Sequence, residues 1–107
     1  MNIKNIKDHI HFSTEKMKKN NLFESDNFFC DIYCLLPGQE QKIHSHTGSD
    51  KFYYILEGVG LFHIDRIEKP VESGNIVFCP SGSNHGVRNQ SNSNLVLMVV
   101  MAPNPQK

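Results

Sequence analysis

The sequence predicts an all-β fold, a sandwich or barrel with one short helix ahead of it, and three observations carry that reading. From Phe28 onward, short apolar runs alternate with clusters of Gly, Pro, Asn and Ser, the rhythm of strands and turns. At 107 residues the chain has the size of one domain, able to bury roughly two thirds of its unfolded surface without disulfide staples. No internal repeat, low-complexity tract or linker divides it, so residues 1–107 are read as a single domain.

The helix is expected first. Ser13-Thr14-Glu15 offers a capping hydroxyl and an acid, and Lys16-Met17-Lys18-Lys19 places lysines in the last turn, the order of charge that a helix dipole favours. Asn20 and Asn21 then end it. Strands are expected over Phe28 to Leu36, Lys42 to His46, Phe52 to Leu56, Gly58 to Ile64 and Ile76 to Cys79, with turns at Pro37-Gly38 and Pro80 to Asn84. Gly86 to Asn89 and the polar turn Gln90 to Asn94 lead to a last strand, Leu95 to Met101, and the tail Ala102-Pro103-Asn104-Pro105. The strand Phe52 to Leu56 is apolar on both sides, with Phe52, Tyr54 and Leu56 on one and Tyr53 and Ile55 on the other. A domain this small has one interior, so the second face needs a cover: the N-terminal segment Ile6 to Phe23, or a second copy of the chain.

Eleven basic residues balance eleven acidic ones. That leaves no basic face for nucleic acid or an anionic membrane and favours a small ligand as partner. No apolar run reaches the roughly 18 residues of a membrane span, and the N-terminus lacks an apolar signal core, so a cytoplasmic location is expected. Cys30, Cys34 and Cys79 are an odd set and do not form a disulfide framework. Extra metal ligands or a redox pair are the functional readings of them, but Cys-x3-Cys matches no common site, and buried quiet thiols are the simpler reading.

The residues with the most chemistry lie in two glycine-punctuated segments. The first runs from Gly38 through His44 and His46 to Lys51 and Gly58; the second runs from Gly74 through Pro80, Gly82 and His85 to Asn89. Side chains two apart on a strand share a face, so His44 and His46 are expected to point together into a barrel while Ser45 points away. His-x-His alone reads first as polar residues at a strand's exposed end. With His85 brought in after the turn at Pro80 and Gly82, however, three imidazoles with open coordination positions describe a catalytic or ligand-binding metal rather than a closed structural one. Lys51, Tyr53 and Ile55 share one face of the next strand, and if it is the inner one Lys51 stands at the mouth of the same cavity.

This double pattern, with fifteen residues between Gly58 and Gly74, resembles the cupin superfamily over residues 38 to 89. The resemblance implies a cupin-type jelly-roll β-barrel, a double-stranded β-helix, and a homodimer. It also implies a divalent transition metal, Fe, Mn, Ni, Zn or Cu, bound by two histidines and a glutamate of the first motif and one histidine of the second. Those positions are His44, His46, Lys51 and His85 here, so a lysine replaces the glutamate. An ammonium about 4 Å from a divalent ion is repelled by about 8 kcal/mol at an effective dielectric near 20. Three resolutions are open: Lys51 swings outward and leaves a three-histidine site; Asp50 enters instead; or no metal binds and Lys51 serves as an anion anchor or an amine of lowered pKa.

Further candidates for acid–base work are Tyr53 and His63, the latter sharing a face with Leu61 and Asp65; a surface histidine is the plainer reading of His63. Whichever of Tyr53 and Tyr54 faces inward is either a hydroxyl donor to ligand or a packing unit. Cys34 and Cys79 lie in strands leading to the motifs, while His9 and His11 are expected to be solvated or to cap a neighbour. Three functions fit the sequence: a metal-dependent enzyme acting on a small molecule, a sugar- or carboxylate-binding or sensing protein without turnover, and a metal-free protein working through its surface.

Overall fold

In the computed structural model, which describes residues 1–106, nine strands form two antiparallel sheets facing each other. The strands are β1 (Lys18–Ser25), β2 (Phe28–Leu35), β3 (Glu40–His44), β4 (Asp50–Glu57), β5 (Val59–Ile64), β6 (Ile67–Glu72), β7 (Ile76–Cys79), β8 (His85–Arg88) and β9 (Leu95–Ala102). One sheet has the order β1-β2-β9-β4-β7 and the other β3-β8-β5-β6. This is the jelly-roll barrel that the strand-and-turn pattern and the family resemblance imply.

Period-two alternation decides what lies between the sheets. Leu95, Leu97, Val99 and Met101 of β9, Tyr53 and Ile55 of β4 and Tyr33 and Leu35 of β2 meet Phe62 and Val87 of the opposite sheet in one buried core. Each fully buried aliphatic side chain there stabilises the fold by about 1.5–3 kcal/mol. The outer face of β2 and β9 is apolar as well, through Cys30, Ile32, Cys34 and Val96. Ile6, Ile10 and Phe12 of the N-terminal segment pack onto it together with Leu56, so the cover expected for the second face of Phe52 to Leu56 lies mainly over β2 and β9 and takes in Leu56 of that strand. Towards the β7 edge the cover stops: Ile76 and Phe78, which pair with Tyr54 and Phe52, are 63% and 58% exposed.

The expected helix over residues 13–19 does not form. Lys18 and Lys19 open β1 and pair with Cys34 and Tyr33, because a few residues of helix cannot offset the cost of nucleation, whereas pairing satisfies the edge of β2. Ser13 does accept from the Glu15 amide, at 3.2 Å, as a local turn rather than a helix cap. The helical element of the N-terminal segment is a 3-10 turn at Ile6–His9, capped by the Asn5 side chain. β6 is an exposed edge strand containing Pro70, a position that needs no ladder donor and so hides the strand in the sequence.

Two glycines position the chain around the cavity. A Cβ on Gly58, whose φ is +87°, would lie 2.3 Å from the Asn94 carbonyl oxygen, so the β4–β5 link demands glycine. A Cβ on Gly86 would lie 2.8 Å from the Gln41 carbonyl oxygen. That close approach accompanies a bulge in β3: Gln41 pairs with Val87 and His44 with His85, so two residues of β3 stand opposite Gly86. The bulge turns Gln41 and His44 to the same side although they are three residues apart. Among the described residues no helix is long and apolar enough to cross a membrane.

Candidate metal centre

At the end of the barrel beside this bulge, His44 closes β3, His46 follows it and His85 opens β8. The strand expected over Lys42 to His46 therefore lies two residues earlier, at Glu40–His44, yet the rings still converge. Their centroids are 4.7 Å (His44–His46), 4.4 Å (His44–His85) and 5.7 Å (His46–His85) apart, and one ring nitrogen from each lies within 4.8 Å of the others. Backbone carbonyls orient two of the rings. His44 Nδ1 donates to the Lys42 oxygen at 2.6 Å and His85 Nδ1 to the Ser83 oxygen at 3.1 Å, which leaves each Nε2 unprotonated, the form that binds a metal, although the His85 Nε2 lone pair accepts from Lys51 Nζ at 3.5 Å. The loop after His46 is stapled across to the second motif, with Gly82 N donating to the His46 oxygen at 2.6 Å and Gly48 N to Ser81 Oγ at 2.8 Å.

All three imidazoles are held below their usual pKa, so they are neutral at pH 7. Desolvation is the main cause in each. For His85, pushed down to about 4, the charge of Lys51 is the next cause. Neutral imidazoles with oriented rings are a donor set that fits a divalent transition metal.

Lys51 does not swing outward. Its place in the middle of the sheet, between Cys79 and Met101, aims it inward, and it is 3% exposed. Nζ lies 3.5 Å from His85 Nε2 and 3.4 Å from Gln41 Oε1, and over the rings of Tyr53 and Tyr33 at 4.8 and 5.8 Å. Desolvation first of all lowers its pKa to about 8. Asp50 does not supply the missing carboxylate either: strand parity turns it out, and its Oδ1 accepts from the Ser81 amide at 2.9 Å.

Tyr53 is the inward tyrosine, fully buried, and its hydroxyl donates to Gln41 Oε1 at 2.5 Å. Burial drives its pKa well above the ordinary tyrosine value, so it keeps its proton and acts only as a donor. Tyr54 lies half-buried on the outer face. His63 is on the outer side of β5, opposite to inward Phe62, with Nδ1 3.6 Å from Glu68 Oε2; it does not line the histidine cavity. Cys79 lies in the core beside Lys51, where desolvation lifts its thiol to about 11, and Cys30 and Cys34 lie under the N-terminal segment. All three are free, buried thiols. His11 Nε2 contacts the Asp8 carbonyl at 2.9 Å, and the His9 carbonyl accepts from Asn20; neither histidine lines the cavity.

Three cavity residues escaped the sequence reading. Gln41 is the acceptor shared by Tyr53 and Lys51. Tyr33 and Asp31, on the inner face of β2, line the same cavity of about 360 Å³, and Asn21 Nδ2 donates to Asp31 Oδ1 at 2.8 Å. Burial is the main cause that raises the pKa of Asp31. The alternation Phe29, Asp31, Tyr33, Leu35 held the signal for Asp31, a lone acid on an apolar face.

The cupin-domain family model matches residues 31–101, which include all three histidines and Lys51. The chain belongs to the cupin family. The oxalate-binding protein of Thermotoga maritima is 36% identical over 67 residues, which are 63% of this cupin and 55% of that protein. This cupin spans about half the length of the curated relatives it matches. A crystal structure of a Thermus thermophilus protein superposes with a TM-score of 0.94 at 46% identity, covering 98% of this chain and 100% of the other. A double-stranded β-helix protein from Klebsiella pneumoniae, 19% identical, superposes at 0.91 over 100% of this chain and 94% of its own, a likeness of fold alone.

Proposed function

We propose that this cupin holds a divalent transition metal (Fe, Mn, Ni, Zn or Cu) through Nε2 of His44, His46 and His85 and binds a small organic carboxylate beside it. The observation that carries the reading is the convergence of three neutral imidazoles, two of them with the Nδ1 proton tied to a backbone carbonyl. The bound ion would supply Lewis acidity towards a carbonyl or carboxylate oxygen. Of this chain's own groups, Lys51, against His85, is placed to carry a charge or a proton to a ligand beside the histidines, while Tyr53 holds Gln41 in place. The similarity to an oxalate-binding protein supports a carboxylate as the ligand class.

Elemental analysis of the purified protein, paired with His44→Ala, tests this. One equivalent of metal is expected in the wild type, with affinity falling at least about tenfold in the variant, as for loss of even an outer partner of a metal ligand. Unchanged affinity would remove His44 from the ligand set. A second reading, a metal-free carboxylate binder, is favoured by one observation, the buried amine of Lys51 against His85. It expects no metal as isolated and oxalate binding that survives His44→Ala.

Assembly and location belong to the same reading. The exposed pair Ile76 and Phe78, beside Phe52 and Tyr54, supports an isologous homodimer across this face, which Phe78→Asp would split in light-scattering measurements of mass. Three free thiols suit the reducing cytoplasm.

A further inference from the structure

Lys51 stands where the family places a metal-binding carboxylate, so it reverses the charge at that point. Its ammonium is boxed in by Tyr33, Tyr53, Gln41 and His85, and no ion pair reaches it among the described residues. The carboxylate of the cavity wall is Asp31, already engaged by Asn21, and it faces the lysines Lys19, Lys42 and Lys51. The cavity is therefore electropositive before any ion enters. An ion held by His85 at an ordinary metal–nitrogen distance of about 2.1 Å lies within about 6 Å of Nζ, since Nζ is 3.5 Å from Nε2. Inside the barrel water screens that repulsion poorly.

We infer that Lys51 makes metal binding and ligand binding mutually dependent: this cupin binds its ion tightly only together with a small dicarboxylate, which meets the ion at one end and the Lys51 ammonium at the other. The inference rests on the three-histidine reading above. A divalent ion, three neutral imidazoles and Lys51 sum to three positive charges, and a dianion removes two of them. A neutral ligand removes none. Whatever factor the anion adds to metal affinity, the metal must add to anion affinity, because the coupling free energy is shared. In a site with glutamate at position 51 the protein itself would supply the charge balance, and the coupling would weaken to what the contact between ligand and ion alone provides.

The test is equilibrium dialysis of Zn(II), with free Zn(II) fixed by a metal buffer so that chelation in solution cancels, alone, with oxalate, and with uncharged ethylene glycol. Wild-type protein is expected to bind Zn(II) at least about tenfold tighter with oxalate and to be unmoved by ethylene glycol. In Lys51→Met, Zn(II) alone is expected to bind at least about tenfold tighter than to wild type, and oxalate is expected to raise its affinity by a clearly smaller factor than in wild type, because the oxalate–metal contact remains while the lysine's repulsion is gone. Lys51→Glu is expected to behave like Lys51→Met, and it carries the test if the Met variant does not fold. The same affinity with and without oxalate in the wild type overturns the inference while leaving the three-histidine centre standing. Weaker Zn(II) binding in Lys51→Met also overturns it, by making the amine a ligand. Failure of every protein to bind Zn(II) under any condition overturns the three-histidine reading itself.

Discussion

The strands β2, β9 and β4 run between two chemically different ends of the barrel. At one end Leu35, Leu95, Leu97 and Ile55 close the interior with fully buried aliphatic side chains. At the other, on the same faces of the same strands, stand Asp31, Lys51 and the tyrosines around the three histidines. The sealed end gains stability from every side chain it buries; the open end buries an amine with no carboxylate within ion-pair distance among the described residues and three imidazoles whose desolvation weakens their hold on a proton. A rigid apolar plug thus offsets the energetic cost of a polar mouth.

The largest effect is expected where the plug is cut. Leu97→Ala leaves a cavity at the closed end and should cost about 2–5 kcal/mol in urea unfolding, with one metal equivalent still bound by the folded fraction. A loss under about 1 kcal/mol would show that the two ends share the stability evenly.

Next comes Lys51, with pH as the lever. In chelator-treated protein its folded pKa is about 8 against an ordinary 10.5, so between those values the unfolded chain binds more protons than the folded one. Stability should therefore rise from pH 8 to 10.5 and be lost as pH falls back through that window, by about 3 kcal/mol. Lys51→Met should flatten the rise and be more stable than wild type at pH 7. A wild-type profile already flat there would mean that the amine is solvated. On the acid side His85, held down to about 4, should make stability fall as pH drops from 6.5 through 4.

A smaller change is expected from Gln41→Leu, which strips Tyr53 and Lys51 of their shared acceptor and should cost about 1–3 kcal/mol by thermal unfolding. The smallest belongs to His46→Ala. This half-buried ring should change metal-free stability by less than about 1 kcal/mol while metal affinity falls at least about tenfold by dialysis.

Much of this was legible in the residues. The turn clusters marked most strands, and the spacing of His44, His46 and His85 named the rings that meet. The parity of Lys51, Tyr53 and Ile55 correctly gave them one face. What stayed hidden depended on distant partners. Lys18 and Lys19 carry a helix-like pattern, but β2 needs an edge neighbour and recruits them as a strand. β6 carries a proline because its edge is free. Asp31 looked like one acid in an apolar run until β1 placed Asn21 against it.

By itself the sequence determined the all-β architecture and the cupin motifs, because strand alternation and turn chemistry are local and read out over a few residues. Only the tertiary structure decided that Lys51 points inward against His85, that Asp50 turns away to hold a loop, and that Gln41 joins the cavity. Those outcomes depend on the β3 bulge opposite Gly86 and on which strands lie on either side of β4. Pairing across the sheet sets both, and no local run of residues encodes it.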